Sequence, residues 1–207
     1  MRLFFNVLAL LTLFDLSADS NPKVERIIGF IPYFRVFERF METESNTFAH
    51  TEALVFADLM KLVVPKNIVV LGNSNAMYPF MSAYFLRYFG EGKVLHYTFM
   101  ENKKEAHLQK KLQKYLNRFL LNSFYQEKSD TKELPEKIDI LILDFDTDAE
   151  PYMERLKDLK GGLSKHSLVW VQSKNGDTPS FEIPLVPLSI DLLEKGSLVR
   201  VFQVDIQ

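Results

Sequence analysis

Apolar positions along this chain fall into two alternating patterns. Short unbroken runs rich in β-branched residues suit strands buried on both faces. Longer stretches with apolar positions three and four apart suit helices. A helix begins near Thr51, a candidate N-cap with Glu52 in the first turn, and stops at Pro65. Ile68–Leu71 (IVVL) reads as a strand, followed by the turn Gly72-Asn73-Ser74-Asn75. The next helix covers about Met77–Phe89, with Pro79 tolerable in its first turn and Gly90 in a capping position. Val94–Met100 reads as a second strand. Asn102-Lys103-Lys104-Glu105 forms a capping-box variant, and Ala106, Leu112, Tyr115, Leu116 and Phe119 give the helix after it an apolar stripe.

The cycle then loosens and resumes. A weak strand is predicted near Phe119–Phe124, with Gln126–Lys137 as polar loop or frayed helix. Ile138–Phe145 (IDILILDF) is the clearest strand in the chain. Asp148 is placed to cap a helix over Ala149–Leu159, ended by Gly161-Gly162, and Ser167–Gln172 (SLVWVQ) is another buried strand. The tail holds two β-like runs, Phe181–Val186 and Ser197–Val204, with Pro184 and Pro187 confining the first to an edge. Repeated strand–helix units predict a doubly wound, mostly parallel α/β sheet, and a closing hairpin adds an antiparallel strand pair. In such sheets ligands sit beyond the carboxyl ends of the strands. That rule points at Gly72–Ala76, Met100–Asn102, Asp144–Asp148 and Gln172–Asn175.

Met1–Ser20 breaks from this cycle. Arg2 precedes an apolar run to about Leu16, and the small residues Ser17 and Ala18 follow, which is the order of a secretory signal peptide. The run of some 14 positions reaches about 21 Å as a helix, short of the roughly 30 Å of a hydrocarbon core. The expectation is a cleaved signal and a secreted or endomembrane-lumen protein. An uncleaved short anchor and a buried first helix are the alternatives. Any membrane contact is then confined to residues 1–20, and residues 21–207 make one domain. Pro22–Glu44 is aromatic-rich and partly helical by its pattern, and no Asn-x-Ser/Thr sequon occurs.

Composition narrows the chemistry. With 25 basic and 27 acidic residues the chain lacks the basic excess of a nucleic-acid binder, so no nucleic-acid partner is expected. The absence of cysteine excludes disulfide scaffolds, thiolate zinc sites, iron–sulfur clusters and cysteine nucleophiles. His50, His96, His107 and His166 are scattered without an i, i+4 pair. Ser74 and Ser82 lack the G-x-S-x-G context of a hydrolase, and Gly72 alone does not make the G-x-G-x-x-G turn of a nicotinamide enzyme. The series Asp144, Asp146, Asp148, Glu150 fails as a calcium loop because Ala149 and Arg155 stand where Gly and Glu belong. Trp170, within an apolar strand, reads as core.

The stretch TEALVFADLMKLVVPKNIVVLGNSNAMYPFMSAYFLRYFGEGKVLHYTFMEN, with IDILILDFDTDAEPYMERLKDLKGGLSKHSLVWVQS after it, resembles the S-adenosylmethionine-dependent methyltransferases. Within them it is most similar to the catechol and caffeoyl-coenzyme A O-methyltransferase group. Gly161-Gly162-Leu163 before SLVWV and the tail LVPLSIDLLEKGSLVRVFQV carry the likeness to the C-terminus. The resemblance implies a seven-stranded Rossmann-like methyltransferase sheet, S-adenosylmethionine as cofactor and a small-molecule acceptor. It places cofactor contacts at Gly72, Asn73, Ser74, Asn75 and Glu101. Asp144 takes the family's first metal-binding carboxylate and Asp146 its second acid, and these two are the candidate bases.

The departures from the family are equally specific. Val70 replaces its Glu and Ala76 its second turn glycine. Phe99 stands where its ribose-binding acid belongs, with Glu101 two residues on. Thr147 replaces its Lys, and Gln172-Ser173 its Asp-Asn metal pair. One carboxylate with an amide and a hydroxyl makes a poor magnesium site, so no divalent metal is expected beyond a role for Asp144 alone. The segment between the fifth and sixth strands, Lys174–Ser180, is too short for the family's helix there. Two functions follow: an O-methyltransferase, or a non-enzymatic secreted or endomembrane binding module that keeps its fold.

Overall fold

The computed structural model describes residues 50–72, 76–89, 91–98, 103–128, 134–145, 150–173, 184–194 and 197–205, all within the unit Phe37–Gln207. Its elements are α1 (His50–Val63), β1 (Asn67–Leu71), α2 (Met77–Phe89), β2 (Lys93–Tyr97), α3 (Lys103–Arg118), β3 (Tyr125–Lys128) and β4 (Ile138–Phe145). After these come α4 (Glu150–Leu159), β5 (Leu163–Ser173), β6 (Leu185–Glu194) and β7 (Ser197–Val204). One seven-stranded sheet runs in the order β3-β2-β1-β4-β5-β7-β6. The first five strands are parallel, and β7 is antiparallel to both β5 and β6. The expected doubly wound sheet with its antiparallel C-terminal pair is therefore present. No helix among the described residues is long and apolar enough to cross a membrane.

The two faces of the sheet follow from strand alternation. Val69 and Leu71 of β1 join Tyr97, Leu141, Leu143, Val169 and Val171 in one apolar cluster with Tyr152, Leu156 and Leu159 of α4. Those α4 positions are three and four apart, while Glu154, Lys157 and Asp158 between them are exposed. The opposite face carries Ile68, Val70, His96 and Trp170, all fully buried. Phe56 of α1 and Tyr78 of α2 pack edge-on to the Trp170 ring, at centroid separations of 5.1 and 6.0 Å. The Trp170 Nε1–H donates to the Tyr78 hydroxyl at 3.0 Å, so Trp170 is core, as expected. Every residue of α2 from Met77 to Leu86 is buried, which explains why that helix is apolar on all sides.

β2 ends at Tyr97, short of the expected Met100, and three further strands depart from their expected ranges. The third strand is Tyr125–Lys128, not 119–124. The chain at 119–121 instead closes α3: Leu120 takes φ 55°, and the Leu121 and Leu120 N–H groups donate back to the Leu116 and Asn117 carbonyls. That is a Schellman closure with leucine in the position glycine usually holds. β3 is polar in sequence and becomes a strand through its pairing with β2, Val94 opposite Tyr125. β5 begins at Leu163 rather than Ser167, because a bulge opposite Ile138–Ile140 absorbs the polar Ser164–Ser167 stretch. There the Ser167 hydroxyl donates to the Ile138 carbonyl at 2.6 Å. β6 runs over 185–194 instead of 181–186, and Pro187 sits on it as an edge residue beside an irregularity in the ladder.

One carboxylate ties the far end of the sheet together. Asp139 on β4 accepts the backbone N–H groups of Lys66 and Asn67 at 2.9 and 3.0 Å, and Lys137 lies 2.9 Å from its other oxygen. Burial pushes this carboxyl up, but the Lys137 and backbone hydrogen bonds outweigh it and hold it below the usual range. A depressed pKa gives stability that is complete above the unfolded value near 4 and is lost as pH falls through the folded one. Asp139→Asn is therefore expected to flatten the pH dependence of the urea midpoint below about pH 4. An unchanged slope would remove Asp139 from the acid response.

Candidate functional site

The strand order reverses between β1 and β4, and their carboxyl ends form the rim of the sheet. Leu71 is level with Tyr97 on β2 and with Leu143 on β4, so Gly72, Thr98 and Asp144 follow side by side. Gly72 turns the chain at φ 101°, a conformation that suits glycine. Its N–H donates to the Tyr97 carbonyl at 3.1 Å. A Cβ at this position would lie 2.0 Å from the Asp144 carbonyl oxygen. Glycine is thus required here by the closeness of β4, whatever binds above it. The following helix, α2, starts at this rim, where the positive end of its dipole favours an anionic group. Ala76 and Met77 at that start are buried.

A chain of buried polar groups holds the Gly72 carbonyl from below. His96 of β2 is fully buried, with Nε2 2.7 Å from the Gly72 carbonyl and Nδ1 2.8 Å from the Tyr125 hydroxyl. Gln109 of α3 donates its Nε2–H to the same hydroxyl at 2.8 Å. Its Oε1 is buried with no hydrogen-bond partner among the described residues. Burial lowers the His96 pKa to about 4, against a smaller upward pull from the Gly72 carbonyl. Burial also pushes the Tyr125 hydroxyl well above its ordinary range, opposed by the Gln109 hydrogen bond and reinforced by the Glu127 charge. Both groups are therefore neutral near pH 7. Between the ordinary histidine value of 6.5 and about 4, only the unfolded chain takes up the proton. The stability contribution of His96 is complete above that window and shrinks as pH falls through it.

The other polar groups described at the rim, Thr98, Asp144 and Gln172, are buried. Asp144 is 1% exposed, and its neighbour across β5 is Gln172, at 4%. Thr98 is buried and donates to Glu127 on β3 at 3.3 Å. Arg155 of α4 lies over the Tyr97 ring, 5.3 Å from its centroid. Among the described residues no three His, Asp or Glu side chains group as a metal site would require. One carboxylate beside one amide does not fit a hard divalent ion, which takes several charged or carbonyl oxygens.

Of the residues named from sequence, Gly72 and Asp144 come together at the rim. Asn73, Ser74, Asn75, Glu101 and Asp146 lie outside the described residues, as do Phe99, Thr147 and the 174–183 segment. Sequence reasoning assigned no role to His96, Gln109 or Tyr125. The available signal was a histidine inside the apolar strand KVLHY. A lone histidine gives no hint of its partners until the sheet is assembled.

No family model matches this chain, and no curated protein matches it in sequence. Solved structures match it in fold. A Klebsiella pneumoniae protein assigned to the O-methyltransferases superposes with a TM-score of 0.55 at 13% identity, over 94% of this chain and 95% of that one. The Bacillus cereus O-methyltransferase in complex with SAH gives 0.53 at 11% identity, over 95% and 96%. The O-methyltransferase TomG from Streptomyces achromogenes, involved in tomaymycin synthesis and in complex with SAM, gives 0.53 at 9%, over 95% of each chain. This chain has the fold of the S-adenosylmethionine-dependent methyltransferases.

Proposed function

We propose that this protein binds S-adenosylmethionine above the carboxyl ends of β1, β2 and β4 and passes the methyl group to an oxygen of a small-molecule acceptor. The observation that carries the reading is the reversal of strand order between β1 and β4, where Gly72, Thr98 and Asp144 lie side by side at the carboxyl ends of their strands and α2 begins. Fold neighbours in complex with SAH and SAM support the same cofactor class. The residues present fit the group in their backbone frame: a glycine at positive φ directly after β1, and the positive end of the α2 dipole beginning at the same rim. When bound, the cofactor supplies an electrophilic methyl on a sulfonium. The chain's task is to hold the acceptor oxygen in line with that methyl, from which much of the rate comes. Asp144 and Asp146 are the candidate acceptors of the hydroxyl proton, and Gly72, Asn73, Ser74, Asn75 and Glu101 the cofactor contacts. No step is routed through a metal, because the donor set at Asp144 does not suit one.

Calorimetric titration is expected to show S-adenosylmethionine binding in the micromolar range, weakened in Glu101→Ala. Heat-silent titration up to millimolar cofactor would overturn the proposal. Labelled methyl transfer to a phenol or catechol, lost in Asp144→Ala, would extend it to catalysis.

A second reading is favoured by the Asp144–Gln172 pairing, which leaves a neutral amide where the catechol-type enzymes place a metal ligand. In it the chain is a secreted or endomembrane binding module that keeps the cleft without the reaction. The basic, apolar, small-residue order of residues 1–20 supports export. Binding of cofactor without turnover on any phenolic acceptor would select it, and turnover would eliminate it. N-terminal sequencing of the exported protein decides whether that segment is removed.

A further inference from the structure

We propose that His96 is a positioning residue for the turn after β1: held in its Nε2–H tautomer by Tyr125 and Gln109, it fixes the Gly72 carbonyl and with it the peptide that opens the turn. The inference rests on reading that turn as the S-adenosylmethionine site, and assigns three residues from β2, α3 and β3 to its support.

The tautomer follows from the Gly72 end of the chain. A carbonyl only accepts, so the His96 nitrogen 2.7 Å from it must carry the proton. In a neutral ring the other nitrogen is then bare and requires a donor. Its neighbour at 2.8 Å is the Tyr125 hydroxyl, whose single hydrogen is committed to it. The Tyr125 oxygen in turn accepts from Gln109, 2.8 Å away. Only one arrangement of protons satisfies all three contacts. The low pKa of His96 keeps the ring neutral across the physiological range, so the arrangement does not switch there.

The consequence for the turn is geometric. The Gly72 N–H donates to the Tyr97 carbonyl and its carbonyl accepts from His96, both on β2. Both backbone polar groups of Gly72 are therefore held by β2. Glycine at positive φ has the freedom to lose that orientation. The buried imidazole removes the freedom without adding a side chain at Gly72, where the Asp144 carbonyl leaves no room.

The test uses the full chain and four measurements. Ring nitrogen NMR of the wild type is expected to show His96 protonated at Nε2 and not titrating between pH 8 and 5. A ring protonated at Nδ1, or one titrating near 6.5, overturns the proposal. Amide exchange at Gly72 is expected to rise roughly tenfold in His96→Leu relative to Ile142 in the core, and to return toward wild type in His96→Gln. The glutamine amide restores an N–H toward the carbonyl. Equal acceleration at Gly72 and Ile142 would show only lost stability and overturn the positioning role. Tyr125→Phe is expected to leave Nδ1 without its donor and to let a second population protonated at Nδ1, which lacks the Gly72 contact, appear in the same spectra; a single unchanged Nε2–H tautomer would remove Tyr125 from the device. Titration with S-adenosylmethionine should weaken in His96→Leu and recover in His96→Gln. If the wild type binds no cofactor, the proposed function fails, and the tautomer and exchange results still decide whether His96 holds the turn.

Discussion

Gly72→Val is expected to lower the thermal midpoint by roughly 6–12 °C, read by far-ultraviolet circular dichroism on the full chain. The new Cβ would meet the Asp144 carbonyl oxygen at 2.0 Å, at a φ of 101° that a β-branched residue rarely adopts. Strain at such a position and forced displacement of a packed neighbour together cost about 3 kcal/mol or more. In a domain of this size each kcal/mol moves the midpoint by about 2–4 °C. A change under about 2 °C would mean that β4 yields easily and that the β1–β4 junction is not the close contact described. The result also governs how ligand experiments are interpreted. Loss of cofactor binding in this variant would not by itself locate the cofactor, because the glycine is demanded by β4 first. Glu101→Ala and the His96 pair are better probes of binding.

Trp170→Ala should be the most damaging substitution in the core. Trp170 is fully buried between Phe56 and Tyr78, and it links α1 and α2 to β5 through ring contacts and the Nε1–H bond to Tyr78. Removing a buried tryptophan ring costs about 3–5 kcal/mol, part transfer energy and part cavity. The midpoint is expected to fall by roughly 6–20 °C. Because Trp170 is the only tryptophan, its emission in the wild type reports the same transition without labels. A variant melting within about 2 °C of wild type would place Trp170 outside the core.

Most of the sheet was legible because its strands carry their own pattern. IVVL, IDILILDF and SLVWVQ are apolar on both faces, and both faces of the central sheet are covered. The strand pair at the C-terminus was read from its two β-like runs, and the resemblance agreed with it. Two of the misplaced boundaries share one cause. Tyr125–Lys128 and the start of β5 at Leu163–Ser167 are polar segments that become strand by pairing with neighbours already in place. Their local preference is weak, and the ladder decides. The Leu120 turn misled for a related reason: an apolar residue in a left-handed cap looks like continued apolar pattern.

The candidate site divides in the same way. Gly72 and Asp144 were nameable because they end strands with strong local signals. Their contact belongs to the sheet, since the 71 residues between them close only when β1 and β4 pair. Taken alone, the sequence determined the order of elements, the loops that end the strands and the identity of the core tryptophan, because apolar spacing is a local property of the chain; where the strand order reverses came from the assembled sheet. The tertiary structure alone decided that His96, Tyr125 and Gln109 meet beneath the Gly72 carbonyl. Those contacts join β2, α3 and β3 to the end of β1, and nothing in the spacing of His96 encodes which buried groups will satisfy its two ring nitrogens. Burial forces that choice: inside the sheet each polar atom must find its partner among whatever the packing brings within reach.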